Sequence, residues 1–230
     1  MIWETARRSA LAGLAALSII SSTAITRSAD KDGALPETAA STAAVLARIE
    51  TDFKNTGSLR ADFTQTNKIS LFDKAIVLKG KVAIDYPDGF KWTVLSPVKT
   101  TVEINAGRAM IWDGATGETK TFDRGDNPMM DMMWRQLGAW FMGRYDELSK
   151  DYDISVTDSN ADNPTLLFKP KNELIAKVVD NVSLTFAKDS AGRLFLEKVL
   201  MREKSGDSTT VLFSNVVLKG AAGEKSPDAK

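Results

Sequence analysis

The residue types that most often carry enzyme chemistry are missing from this sequence. It contains no His and no Cys, which removes the usual general base, Ser-His-Asp triads, nucleophilic thiols, thiolate metal sites and disulfides. Ser-Lys dyads and paired carboxylates remain, so a carboxylate-dependent hydrolase is the one enzymatic alternative. No P-loop, GxGxxG or GxSxG motif occurs. The sequence therefore favours a binding protein over an enzyme, and we expect neither a cofactor nor a metal.

The nearest approach to a metal motif is "DSNADN", Asp158 to Asn163. It begins like a calcium-binding loop, D-x-N-x-D. Asn163 stands where such a loop needs Gly at position six, and Lys169 stands where it needs Glu at position twelve. We interpret this stretch as a solvated turn.

The chemistry that the sequence does offer is apolar. The stretch "DYPDGFKWTVLSP", Asp85 to Pro97, places Tyr86, Phe90 and Trp92 around a Pro-Asp-Gly turn. Pro fixes φ and Gly accepts a positive φ, so this turn joins two antiparallel strands. The three rings either fill an ordinary core or line a surface that holds something apolar.

A second apolar stretch, "DNPMMDMMWRQLGAWFMGRYDELSKDY", holds five of the eight methionines. Met side chains fill irregular space and recur on adaptable binding surfaces. Asn127-Pro128 suits a helix start, and the apolar residues cover nearly the whole circumference. One side can therefore pack on a sheet while another meets a ligand, with plain core packing as the alternative. Gly138 and Gly143 each weaken a helix by about 1 kcal/mol relative to Ala. This indicates two short helices with a flexible point between them.

The elements that position these residues are predicted from periodicity. Ala39, Ala43, Leu46, Ile49 and Phe53 form one stripe of an amphipathic helix. Period-two alternation then predicts strands in "SLRADFTQTNKIS", in "AIVLKGKVAIDY", after the Pro-Asp-Gly turn, and at Val98–Ile104, Ala109–Asp113, Thr119–Asp123, Tyr152–Thr157, Thr165–Lys169, Lys177–Ala187, Arg193–Arg202 and Ser208–Leu218. Ten or eleven short antiparallel strands suit a strongly curved sheet, so the fold class is mainly β (α+β).

The N-terminus is typical of a secretory signal peptide over residues 1–29. Arg7 and Arg8 precede an apolar run from Ala10 to Ile20 and then small residues, with cleavage after Ala24 or Ala29. An uncleaved membrane anchor is the alternative. We expect a polar leader at 30–36, one domain at 37–218 and a flexible tail at 219–230. Thirty basic residues balance thirty acidic ones, so we expect no nucleic-acid partner.

Three stretches together resemble the LolA family of periplasmic carriers for outer-membrane lipoproteins. They are "SLRADFTQT", with Phe63 and Gln65; "DYPDGFKWTVLSP", with Pro87, Phe90 and Trp92; and "VEINAGRAMIWD", with Gly107, Ile111 and Trp112. The later strand region, "LLFKPKNELIAK" onward, also looks like the C-terminal strands of the family. The similarity extends over roughly Ala43 to Leu218.

The resemblance implies an open, curved antiparallel half-barrel whose concave face is covered by helices. It implies a non-enzymatic, periplasmic and monomeric carrier that shields lipoprotein acyl chains in a hydrophobic cavity. Its partners would be an inner-membrane lipoprotein-releasing ABC transporter and an outer-membrane acceptor. A carrier of another lipid, and a lipid-responsive envelope sensor or scaffold, are the alternatives. We expect these cavity residues: Phe63, Ile84, Tyr86, Phe90, Trp92 and Ile111 from the sheet, and Met130, Met133, Trp134, Leu137 and Phe141 from the helical lid.

One position departs from the family pattern. Family members commonly carry Arg before the Pro of the hairpin, where this chain has Tyr86. Alternation predicts that Tyr86 faces inward with Ile84. We expect the change from a cation to a phenol to remove a lock on the lid carbonyls or on a ligand head group.

Overall fold

The computed structural model describes residues 36–221 apart from Ala106, Arg124, Asn127 and Ala161, with only the backbone given at 36–41 and 128–134. The predicted signal peptide lies outside the described residues. The elements in chain order are α1 Pro36–Lys54, β1 Thr56–Lys68, β2 Ile76–Asp85, β3 Gly89–Ser96, β4 Thr100–Asn105, β5 Arg108–Asp113, β6 Thr119–Asp123, α2 Pro128–Met142, a 3₁₀ helix Tyr145–Leu148, β7 Tyr152–Asp158, β8 Thr165–Pro170, α3 Glu173–Ala176, β9 Val179–Lys188, β10 Leu194–Glu203 and β11 Ser208–Gly220.

The eleven strands form one sheet in the order β6-β5-β4-β3-β2-β1-β11-β10-β9-β8-β7. Apart from β6 and β7, strands that follow each other in the chain pair antiparallel, and β1 pairs antiparallel with β11 to join the two halves. The sheet is curved and open, which confirms the predicted fold class. Its edge strands β6 and β7 are consecutive in the chain, so the connection between them must cross the width of the sheet. Helix α2 lies in that connection.

Alternation decides which face of the sheet is buried. In β2, Leu78, Val82 and Ile84 are buried, while Lys79 and Lys81 between them are exposed. Period-two burial of this kind is typical of an antiparallel sheet that is covered on one face. The opposite face carries cross-strand ion pairs such as Lys81–Asp62 at 3.0 Å. The interior face is therefore apolar, and most charge lies outside it.

Helix α1 is fastened to the sheet by packing and by hydrogen bonds. It lies against β7 and β10, with Ile49 and Phe53 buried. The Asp52 carboxylate accepts a hydrogen bond of 3.0 Å from the Leu194 N–H at the start of β10. The Thr42 hydroxyl accepts one of 3.2 Å from the Val156 N–H in β7. These contacts fix α1 at both ends of its described part.

Helix α2 runs unbroken through Gly138, and a separate 3₁₀ helix begins at Tyr145. The break falls at Gly143, which follows the helix with a φ of 71°. The Gly143 N–H donates to the Ala139 carbonyl at 3.1 Å, and a Cβ built on Gly143 would lie 3.2 Å from the Glu50 Cα on α1. Both the left-handed backbone and this close approach suit glycine at a helix C-terminus.

Two boundaries differ from the sequence prediction. The short helix α3 precedes β9, and its start is stabilised because the Asn172 side chain accepts hydrogen bonds from the N–H groups of Leu174 and Ile175. Strand β11 extends into the predicted tail, where Lys219 and Gly220 pair with the start of β1. Among the described helices, none is long and apolar enough to cross a membrane.

Candidate functional site

The predicted hairpin is present and presents its rings to the interior. Strand β2 ends at Asp85 and β3 begins at Gly89, so the Pro-Asp-Gly stretch is the turn. Phe90 and Trp92 are buried on the face that the helices cover. Tyr86 is half-buried and packs against the same core.

Five rings from four elements meet beneath α2, and we call them the ring cluster: Phe63 of β1, Phe90 and Trp92 of β3, Phe213 of β11 and Phe141 of α2. Phe63 stacks on Trp92 with ring centroids 3.8 Å apart. Phe141 lies 5.7 Å from Phe90 and 5.5 Å from Phe213. Phe141 thus brings the helix into direct contact with the sheet rings.

Gly80 makes the stack of Phe63 on Trp92 possible. It lies directly opposite Phe63 in the β1–β2 pairing. A Cβ on Gly80 would lie 2.5 Å from the Phe63 ring and 2.1 Å from the Thr93 carbonyl oxygen. Real side chains cannot approach so closely, so only glycine leaves room for the ring at this point.

A phenol–carbonyl hydrogen bond joins α2 to the β2–β3 hairpin. The Tyr86 hydroxyl donates to the Phe141 carbonyl oxygen at 2.7 Å. Phe141 lies in the last turn of α2, where carbonyl groups have no partner within the helix. Burial raises the pKa of the Tyr86 phenol well above its ordinary value, so the hydroxyl keeps its proton. We call this contact the latch.

The latch corrects the expectation for position 86. The sequence predicts that Tyr86, in place of Arg, removes a lock on the lid carbonyls or on a ligand head group. The phenol instead reaches a lid carbonyl and does so without a charge. Sequence reasoning placed Tyr86 inward but missed the bond, because nothing in the sequence brings position 141 next to it.

The remaining predicted site residues occupy different settings. Ile84 and Leu137 are buried in the same core, and Ile111 is half-buried at its border. Met130, Met133 and Trp134 lie on α2, but their side chains fall outside the described residues. Phe213 belongs to the ring cluster although the sequence did not single it out. The alternation of β11 carried a signal for it, since Val211 and Phe213 share a buried face.

The interior is closed where α2 meets the β2–β3 hairpin. The gap between them measures about 10 Å³ and is lined by Asp88, Phe90, Ile104, Leu137, Gly138, Met142 and Arg144. That is the room for roughly one water. In the arrangement that the structure shows, the gap at this place is too small for an acyl chain.

The calcium-like stretch runs from the end of β7 into the connection to β8. The Asp158 carboxylate accepts a hydrogen bond from the Asn160 N–H at 2.9 Å, and Lys188 forms an ion pair with Asp162. This hydrogen-bonded ammonium lowers the pKa of the Asp162 carboxyl. Within the described part of the chain, no three acidic side chains are grouped so that they could hold a metal ion.

Solved structures match this chain at low identity and low TM-score. A LolA superfamily protein from Nitrosomonas europaea has 9% identity and a TM-score of 0.41, and the match covers 77% of this chain and 93% of that chain. A putative outer membrane lipoprotein-sorting protein domain from Vibrio parahaemolyticus has 14% identity and a TM-score of 0.38, covering 80% of this chain and 94% of that chain. The lipoprotein LppX of Mycobacterium tuberculosis has 12% identity and a TM-score of 0.40, covering 80% and 98%.

A search of curated protein sequences finds no match to this chain. The family described as outer membrane lipoprotein carrier protein LolA matches residues 54–225. That span includes every strand of the sheet, the ring cluster and both partners of the latch. The chain belongs to the LolA family.

Proposed function

We propose that this protein is a periplasmic carrier that shields the acyl chains of lipoproteins, or of a related lipid, between its sheet and α2. The observation that carries the proposal is the latch: one phenol–carbonyl hydrogen bond holds a helix over a cluster of aromatic side chains. Membership of the LolA family supports it. The partners would be an inner-membrane lipoprotein-releasing ABC transporter and an outer-membrane acceptor, and the carrier would act as a monomer.

The physical need for such a carrier follows from the hydrophobic effect. Burial of an acyl chain contributes about 0.8 kcal/mol per methylene. A sixteen-carbon chain therefore gains on the order of 12 kcal/mol from an apolar environment. Such a chain leaves a membrane slowly unless a dry site receives it. The ring cluster offers apolar surface of this kind once α2 is displaced.

Helix α2 is better suited to move than α1. In helix α1, the Asp52 carboxylate and the Thr42 hydroxyl accept hydrogen bonds from sheet N–H groups at both ends of its described part. In the part of α2 with described side chains, Arg135–Met142, the hydrogen bonds to the sheet are the latch and a longer one of 3.4 Å from the Gln136 amide to the Tyr152 hydroxyl. Gly143 supplies a flexible joint at the end of the helix.

The closed arrangement also leaves buried donors without partners. Trp140 Nε1 and the Tyr145 hydroxyl are buried, and neither has a hydrogen-bond partner among the described residues. Each such group costs about 1–3 kcal/mol. A rearrangement that gives these groups hydrogen-bond partners recovers part of that free energy. The difference in free energy between the state with α2 displaced and the state with α2 on the sheet is then smaller.

The test is cargo transfer. Purified protein is incubated with inner-membrane vesicles that hold an acylated lipoprotein, and the supernatant is examined for a soluble complex by mass spectrometry. The complex is then mixed with acceptor vesicles. A carrier yields a soluble complex and passes its cargo on. Failure to extract or release any acylated cargo, together with stable binding to a membrane regulator, would instead support the lipid-responsive sensor.

A further inference from the structure

The loop between β1 and β2 presents apolar side chains to solvent at one end of the sheet. Leu71 is 85% exposed and Phe72 is 41% exposed, and the next outward residue of β2, Val77, is 46% exposed. We call these three residues the apolar tip. Single exposed hydrophobic residues are ordinary on protein surfaces. Leu71 and Phe72 are adjacent in this loop and Val77 lies at the start of β2, so three exposed apolar residues fall within seven positions of the chain at one end of the sheet.

The tip is held in place rather than frayed. The Ser70 N–H and the Ser70 hydroxyl both donate to the Asp207 carboxylate, at 2.8 and 2.6 Å. The Phe72 N–H donates to the Ile69 carbonyl at 2.9 Å. These bonds fasten the loop to the neighbouring β10–β11 hairpin and close its own turn. Because Ser70 directly precedes Leu71, the anchored backbone directs the apolar side chains away from the core.

Three exposed lysines flank the apolar tip along the chain. Lys68 ends β1 before the loop, Lys74 follows Phe72, and Lys79 lies two residues after Val77 on the same outward face, and all three are exposed. Asp73 is the one acidic residue of the stretch 68–79. Within the described residues, no carboxylate lies within salt-bridge distance of these three ammonium groups, unlike Lys81 and Lys91 nearby. The apolar residues of the tip are therefore flanked by lysines without a carboxylate partner among the described residues.

We propose that the apolar tip is a membrane-contacting site, which inserts Leu71 and Phe72 among the head groups of a bilayer that contains anionic lipid. Interfacial binding of this kind combines buried apolar area with attraction between basic residues and anionic lipid. The exposed apolar residues together with the exposed lysines match the chemistry of such a surface.

This inference goes beyond the proposed carrier function and does not depend on it. The tip lies at the far end of β1 and β2 from the latch, since Tyr86 follows the last residue of β2 and Leu71 precedes the first. Contact with a membrane and enclosure of an acyl chain therefore use different residues. A variant that loses one of these properties is expected to keep the other.

The test is flotation of the purified protein with vesicles of phosphatidylethanolamine and phosphatidylglycerol, compared with vesicles of phosphatidylcholine alone. We expect the wild type to bind the anionic vesicles and release on addition of salt. The double variant Leu71→Ser, Phe72→Ser should bind about tenfold more weakly, because it loses most of the inserted apolar surface. Lys68→Gln with Lys74→Gln should lose the preference for anionic lipid. The control is Leu212→Ser, at a leucine on β11 whose exposed fraction of 47% is similar to that of Phe72, which should leave binding unchanged.

A second measurement reports contact directly. The chain has no Cys, so Leu71→Cys and Leu212→Cys each accept one environment-sensitive fluorophore. Vesicles should shift the emission of the label at position 71 to shorter wavelength and leave that at 212 unchanged. Equal vesicle binding by the tip variants and the wild type, or no shift at position 71, would overturn the proposal. Binding only to vesicles that carry membrane protein would also overturn it and assign the tip to a protein partner.

Discussion

The Tyr86 hydroxyl lies 2.7 Å from the carbonyl oxygen of Phe141, and it donates a hydrogen bond to that oxygen across 55 residues of sequence. The bond connects the aromatic hairpin to the last turn of α2. Because the carbonyl has no partner within the helix, the phenol satisfies a group that would otherwise be buried and unpaired. The closed position of the helix thus depends on an uncharged contact.

We expect Tyr86→Phe to loosen α2 while the sheet stays folded. Loss of one such hydrogen bond lowers the free energy of unfolding by about 1 kcal/mol. If the whole change falls on the closed state of α2, the open population rises about fivefold. Amide hydrogen exchange in α2 and the uptake rate of a fluorescent acyl probe should both increase by that factor.

The matched control for Tyr86→Phe is Tyr145→Phe. It removes the same hydroxyl from a tyrosine that is more deeply buried and has no hydrogen-bond partner among the described residues. We expect its stability to be unchanged or slightly higher and its probe uptake to match the wild type. If both variants took up the probe at the wild-type rate, the latch would have no role in opening.

Alkaline pH should destabilise the fold because its tyrosines are buried. The chain has three tyrosines, and burial raises the pKa of Tyr86, Tyr145 and Tyr152. The ordinary pKa is 10.0, whereas that of Tyr152 is raised to about 12. Below pH 10.0 the phenols are neutral in both states, so they add no pH dependence. Above it the unfolded phenols ionise first, and the free energy of unfolding falls as pH rises.

Absorbance of the phenolate checks this prediction. In the folded protein little phenolate should appear near pH 10, where free tyrosine is half ionised. The signal should then rise together with loss of the far-ultraviolet circular dichroism of the sheet. A full phenolate signal near pH 10 from a protein that is still folded would contradict the burial of these side chains.

Gly80→Ala should destabilise the sheet strongly. The added Cβ would lie 2.1 Å from the Thr93 carbonyl oxygen, which belongs to the backbone and cannot turn aside. Overpacking of this kind costs typically about 1–3 kcal/mol. Urea denaturation measures the change. A loss below about 0.5 kcal/mol would show that the contact between Phe63 and Trp92 has more room than the structure gives it.

Asp52→Ala should lower stability without changing probe uptake, because Asp52 fastens α1 and not α2. Its carboxylate accepts from the Leu194 N–H at 3.0 Å, and loss of a charged hydrogen bond costs about 1–2 kcal/mol in a half-buried setting. Asp153→Ala is the control, since it breaks only a surface ion pair of 3.4 Å with Lys171, worth about 0.5 kcal/mol. Thermal unfolding distinguishes the two. Faster probe uptake by Asp52→Ala would assign the moving element to α1.

The alternation of apolar and polar residues and the turn residues predicted the parts of this fold that depend on residues close together in the chain. Alternation placed Phe90 and Trp92 on the interior face, and the Pro-Asp-Gly turn joined the two strands as expected. The position of Phe213 was not predictable in the same way, because it lies opposite Phe63 only through the pairing of β1 with β11. The latch has the same origin, since it joins residues that only the tertiary fold brings together.

The end of α2 is a feature that helix propensity alone could not place. Gly138 and Gly143 have the same intrinsic effect on a helix, and nothing in the sequence distinguishes one from the other. Tertiary packing decides the matter, because a side chain at Gly143 would press on Glu50 of α1 and its backbone has a positive φ. Gly138 stays within the helix.

The most direct test of the account is photocrosslinking of a triacylated lipopeptide from two neighbouring positions of β11. Phe213 is buried in the ring cluster, and Leu212 beside it is 47% exposed on the outer face. A photoreactive phenylalanine analogue is placed at one position or the other, and the attached mass is identified. The account predicts acyl-chain adducts at position 213 and none at 212. Equal labelling at both positions, or labelling at 212 alone, would contradict binding of the cargo between the sheet and α2.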